Sequence, residues 1–174
     1  MQFAFFFAFP ACSAGNCLFC FFYCLHGETM KFIADVMLGK LAKRMRLLGF
    51  DVLYHRTFDD NEIIRLSLEQ NRVILTRDTE LAGRPLAANR VFIIHNAVKD
   101  QVRQVLDTYM IESVPGPLTR CSVCNDSLLP ITKQDIKDIV PEYVYGNYGN
   151  FLRCVSCGRV YWEGSHVRNM RLSG

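Results

Sequence analysis

At 174 residues, half of them hydrophobic and 21% charged, the chain suits one ordinary domain plus a small module; it is neither a large multidomain machine nor a disordered polymer. The formal charge of +3, from 20 Lys and Arg against 17 Asp and Glu, admits a polyanionic partner without requiring one.

The first 29 residues differ in character from the rest. No Asp, Glu, Lys or Arg precedes Glu28, and eight of the 13 Phe lie between Phe3 and Phe22. A secretory signal would carry a basic start, which is missing, and Pro10 cuts the apolar run. A spanning helix needs about 20 uninterrupted apolar residues, and Pro10, Ser13, Gly15 and Asn16 interrupt this one. Strand and helix patterns begin directly after Met30, so residues 1–29 are expected to be a mis-called extension, with a targeting peptide or genuine structure as alternatives. A membrane partner is expected only if that segment is genuine, and the expected location is cytoplasmic. Cys12, Cys17, Cys20 and Cys24 imitate a metal site, but their Phe-rich, charge-free setting argues against one.

From Met30 the hydrophobic period alternates between strand and helix. Phe32 to Ala34 reads as a short buried strand ending at Asp35. Leu38, Leu41, Ala42, Met45 and Leu48 form one stripe of a helix, with Gly49 where a left-handed cap is expected. Asp51 to Tyr54 gives a second strand. Ile63, Ile64, Leu66, Ser67 and Leu68 give a second helix, opened by Asp59 or Asp60. Arg72 to Thr76 is a third strand, Arg90 to Ile94 a fourth, and Gln101 to Tyr109 a further helix. Strands joined in this way by helices imply right-handed crossovers and a parallel sheet covered on both faces. The stretch Ser113 to Pro117 cannot continue a helix. An α/β domain is therefore expected over residues 30–115 and a second module over 118–170.

That second module carries the most specific chemistry. Cys121 and Cys124, then Cys154 and Cys157, form two C-x-x-C knuckles, each able to aim two sulfurs at one ion. Four thiolates leave no open position for water, so the reading is a structural Zn²⁺ site, preferred over disulfides or a redox dithiol. Leu152, Val160, Tyr161 and Trp162 supply apolar groups beside it.

An acidic set gains meaning from the fold. In an open parallel sheet, functional groups gather beyond the C-terminal ends of the strands. Asp35 follows the first strand, Asp59 and Asp60 open the helix after the second, and Asp78 follows the third. Repelling carboxylates with no Cys or His nearby suit Mg²⁺ or Mn²⁺, an ion able to activate water toward a phosphodiester. The plainer meaning is a helix cap and two loop acids. Lys40, Lys43 and Arg44 share one face of the first helix, with Arg46 flanking it and Arg77 beside Asp78. These are candidate phosphate contacts, although a solvated face is the commoner meaning of such a run. Tyr143, Tyr145, Tyr148, Phe151 and Trp162, with the positive charge of Arg153, Arg159, Arg168 and Arg171, offer a stacking platform for single strands, the alternative being that many of those aromatics are core. His26, His55, His95 and His166 are scattered and read as ordinary polar residues. No G-x-G-x-x-G, P-loop, H-E-x-x-H or G-x-S-x-G motif occurs, so no nucleotide cofactor is expected.

Taken together, Phe32 to Gly49, Asp60 with its helix, Arg72 to Asp78, Arg120 to Asn125, Val140-Pro141 and Tyr161 to His166 resemble the Mut7-C RNase domain family. The resemblance spans nearly all of residues 30–170. It implies a PIN-like three-layer α/β sandwich with a parallel sheet, followed by a small zinc ribbon. It also implies a divalent-metal ribonuclease site at Asp35, Asp60 and Asp78, with Lys40 and Arg77 beside them and RNA as partner. A fourth acid, usual in PIN nucleases, is either Glu62 or Asp100. The reading from another class is a non-catalytic RNA-binding or protein-adaptor module with zinc as scaffold.

Overall fold

The computed structural model describes residues 30–164. The readings placed on residues 1–29, including their four cysteines and His26, and those on His166, Arg168 and Arg171, lie outside the described residues.

Four short strands, β1 (Lys31–Ala34), β2 (Asp51–Leu53), β3 (Val73–Thr76) and β4 (Arg90–Phe92), form a parallel sheet in the order β2-β1-β3-β4. Alternate side chains of a strand point to opposite faces. Phe32 and Ala34 accordingly join one apolar cluster while Ile33 and Ile74 join another. The first cluster is closed by helices α1 (Gly39–Leu47) and α4 (Val98–Thr108), the second by α2 (Asp60–Gln70) and the short α3 (Thr79–Gly83). The result is the three-layer α/β sandwich that the resemblance implies. Leu41, Met45, Ile63, Ile74 and Leu81 are fully buried, each worth roughly 1.5–3 kcal/mol of transfer free energy.

The ends of the helices follow from local chemistry. Asp59 takes the cap of α2, its Oδ1 accepting the Glu62 N–H at 2.8 Å, which leaves Asp60 as the first helical residue. Asn71, with φ of 51°, ends that helix in the left-handed region that Asn tolerates. Gly49, with φ of 98°, turns the chain out of α1, and a Cβ there would lie 2.4 Å from the Gly116 carbonyl oxygen. The fourth strand is shorter than the sequence pattern suggests, and α4 begins at Val98 rather than Gln101. Ala97 there has extended backbone, and its carbonyl accepts the Gln101 N–H at 3.0 Å.

Beyond the Pro-Gly break, β5 (Leu128–Ile131), β6 (Phe151–Cys154) and β7 (Val160–Trp162) form an antiparallel meander, with α5 (Glu142–Asn147) between β5 and β6. Phe151 is buried, and Tyr145, Tyr148 and Trp162 pack on Ile136, Val140 and Val144. Those aromatics are therefore a small core rather than an open stacking platform; Tyr143 stays exposed. Among the described residues no helix is long and apolar enough to cross a membrane.

Candidate metal centre and basic cleft

The cysteine quartet is assembled by the two knuckles. Cys121 and Cys124 stand before β5, while Cys154 ends β6 and Cys157 follows in the turn to β7. The four sulfurs lie within 4.8 Å of one another, with Cys121 3.6 Å from Cys157 and Cys124 3.3 Å from Cys154. Sulfurs at the corners of a tetrahedral zinc site, with Zn–S near 2.3 Å, stand about 3.8 Å apart, so the set fits that ion with little adjustment. No disulfide joins these cysteines.

The surroundings prepare one sulfur for a cation. Burial works against a thiolate at Cys121, yet N–H groups of Cys124 and Val123 and the Tyr161 hydroxyl outweigh it and lower its pKa to about 6. The Tyr161 Oη stands 3.0 Å from that sulfur and accepts the Ser122 N–H at 3.2 Å. Desolvation of its sulfur, together with the crowding of the Cys154, Cys121 and Cys157 sulfurs, pushes Cys124 up to about 12 although the residue is exposed, a cost that a dication would relieve.

The first knuckle docks on the parallel-sheet unit through polar contacts. Arg46 donates from Nε to the Val52 carbonyl at 2.8 Å and from Nη1 to the Val123 carbonyl at 2.7 Å, with the Ser122 carbonyl at 3.4 Å. The residue is 3% exposed, and burial lowers its pKa. Arg46 thus departs from the exposed basic face expected of it: its guanidinium is spent on backbone carbonyls. Asn125 accepts from the Val52 N–H at 3.1 Å and donates to Asp51 at 2.8 Å. Asp51 also meets Arg72 at 2.7 Å and Arg120 at 3.6 Å.

A cleft of about 670 Å³ opens along this seam. Lys40, Lys43, Arg46, Arg56 and Arg77 line one part of it, Ser122 and Val123 another, and no Asp or Glu is among its lining residues. Lys40 and Lys43 are exposed, as the helical spacing implies, whereas Arg44 is half-buried and lies off the cleft. Arg77 donates to Asn96 at 2.8 Å. Gly39 permits the close approach of the first turn of α1 to Tyr54, since a Cβ there would stand 2.5 Å from the phenol oxygen. Arg56, Tyr54 and the knuckle residues were invisible as site members in the sequence, because only the folded seam brings them to the lysines.

The aspartates occupy the C-terminal edge of the sheet. Because β2 and β3 flank β1 in opposite directions, the crevice between β1 and β3 is the topological switch point, where open α/β sheets bind ligands. Asp35 follows β1 there, 4% exposed, its Oδ2 accepting from the Thr76 hydroxyl at 2.9 Å. The same hydroxyl oxygen accepts the Asp78 N–H at 2.9 Å, so Thr76 ties the two acidic loops together. Its polar side chain closing an apolar strand was the signal available in the sequence. Asp78 also caps α3, its Oδ1 accepting N–H groups of Glu80 and Leu81. Asp60 stands apart on α2, paired with Arg84 at 3.0 Å. Among the described residues the cysteines are the one group of three or more ligands that converges; Asp35, Asp60 and Asp78 do not close around a common point.

No curated protein and no solved structure matches the chain. The Mut7-C RNAse domain model matches residues 30–173, and the chain therefore belongs to that family.

Proposed function

We propose that the protein is a divalent-metal-dependent ribonuclease that hydrolyses RNA phosphodiester bonds at the C-terminal edge of its parallel sheet. The observation that carries this reading is that the Thr76 hydroxyl at the switch point donates to the Asp35 carboxylate and accepts the Asp78 backbone N–H, with Lys40 and Arg77 of the basic cleft following β1 and β3. Their cationic ends suit a phosphate and the charge that develops on it during hydrolysis. Carboxylate oxygens suit Mg²⁺ or Mn²⁺, whose chemistry when bound is the activation of water and the neutralising of phosphate charge. As arranged, however, the three aspartates do not surround one ion. Asp60, held by Arg84, enters the reading through its place at the start of the helix after β2 and through the family resemblance.

A second reading, RNA binding without turnover, is favoured by that same arrangement, since Asp35, Asp60 and Asp78 each already serve an internal partner. The two readings separate in one assay. With Mn²⁺ present, the purified protein is expected to shorten RNA, and Asp35→Asn or Asp78→Asn to slow cleavage at least about a hundredfold, the scale of losing one electrostatic stabiliser. Intact RNA across single-stranded and structured substrates leaves the binding reading in place.

A further inference from the structure

The cleft lies across a seam, and its two walls have different origins. Lys40 and Lys43 come from α1, Arg56 and Arg77 from the loops after β2 and β3, whereas Ser122 and Val123 come from between the first pair of cysteines. Arg46 joins the walls, because its guanidinium donates to the carbonyl oxygens of those two knuckle residues. With the carbonyls turned toward Arg46, Val123 stays 44% exposed and lines the cleft. The knuckle owes its shape to the sulfur cluster: the Val123 N–H points at the Cys121 sulfur, 3.4 Å away, and Asn125 adopts a left-handed φ of 70°. The Leu118, Cys121, Leu128 and Cys154 cluster beneath it is small, and a module of that size depends on its ion for folding.

We propose that the first zinc knuckle forms one wall of the RNA-binding seat, so that the cleft grips the phosphate backbone of RNA only when the ribbon is folded around its ion. This rests on the reading of RNA as the ligand, and it adds a place for the strand and a dependence on a metal that takes no part in hydrolysis. Lys40, Lys43, Arg56 and Arg77 supply the cations, since Arg46 is held by carbonyls. Four neutralised phosphates on a single strand imply a slope of about −3 in log K against log salt.

The test is fluorescence anisotropy with a fluorescein-labelled single-stranded RNA, using the zinc-loaded full chain without Mg²⁺ or Mn²⁺, so that the strand stays whole. Val123→Glu is expected to weaken binding about tenfold at unchanged zinc content, and Val123→Lys to tighten it and steepen the salt slope by about 0.7. Lys43→Glu with Arg56→Glu should weaken binding and flatten the slope by about 1.4. Leu129→Glu, on β5 and absent from the cleft lining, should bind as wild type. Protein stripped by a zinc chelator should lose affinity and regain it on adding Zn²⁺. Wild-type affinity in both Val123 variants, or in the stripped protein, overturns the proposal. If RNA is cleaved with Mn²⁺ while those variants bind normally, the inference falls and the nuclease reading stands. Zinc-dependent, Val123-sensitive binding with no cleavage has the opposite meaning.

Discussion

Asp51 shows how much one carboxylate can organise. It begins β2, yet its partners come from two other segments, Arg72 from just before β3 and Arg120 and Asn125 from either side of the first knuckle in the ribbon half of the chain. Burial alone would raise its pKa, but the hydrogen bonds from Arg72 and Asn125, with the charges of Arg72 and Arg120, prevail and hold it below the usual carboxylate value. A group depressed in this way contributes stability that is complete above its unfolded pKa of about 4 and is lost as the pH falls through the folded value. Denaturant midpoints measured from pH 6 downward should therefore decline below about pH 4, and Asp51→Asn should flatten part of that decline. An unaltered acid limb in the variant would show that other carboxylates set it. Asp35 and Asp78 illustrate the limit of reading single residues. Both stand where strand order places them, but the tie through Thr76 depends on register, with Ala34 opposite Leu75, which the sequence does not display.

At the scale of elements, the end of α1 is where the two halves meet. Gly49 is needed for two reasons: its φ of 98° is costly for any side chain, and the Gly116 carbonyl and the Thr119 hydroxyl fill the space where a Cβ would go. Gly49→Ala should destabilise the protein by about 1–3 kcal/mol, read as a lower denaturant midpoint. Gly83→Ala, where the space is open, should move it by less than about 0.5 kcal/mol. The glycine was legible as a helix end, and the apolar stripe of α1 from its spacing, because both are local facts. α3 escaped notice because five residues hold too little periodicity, although Asp78 before Thr79 is a capping signal. Arg46 differs for a related reason: helical spacing places it one turn from Lys43, flanking the basic face, but the knuckle that covers it lies 76 residues farther on. The four cysteines were legible because thiol chemistry narrows their purpose, whereas the carboxylates serve caps and ion pairs as readily as metals.

For the whole molecule, the ribbon and the sandwich differ in what sustains them. The sandwich buries two apolar clusters on either side of its sheet, while the ribbon divides its few apolar groups between two small ones. Chelation of zinc should therefore unfold residues beyond the Pro-Gly break first. The check is thiol labelling of Cys121, Cys124, Cys154 and Cys157, slow in the loaded protein and fast after stripping, with helical circular dichroism largely retained. Equal loss of helix and ribbon signals would instead mean that the seam makes them one cooperative unit.

The seam also bears on how the chain is made. When the sandwich portion leaves the ribosome, the segment that will cover Arg46 has yet to be synthesised, and the carbonyls of Ser122 and Val123 arrive 76 and 77 residues later. An apolar side chain in that seat would present a sticky surface during the interval. A guanidinium stays hydrated while it waits and exchanges water for carbonyls on docking, so the uncovered seat adds no apolar surface to the nascent half.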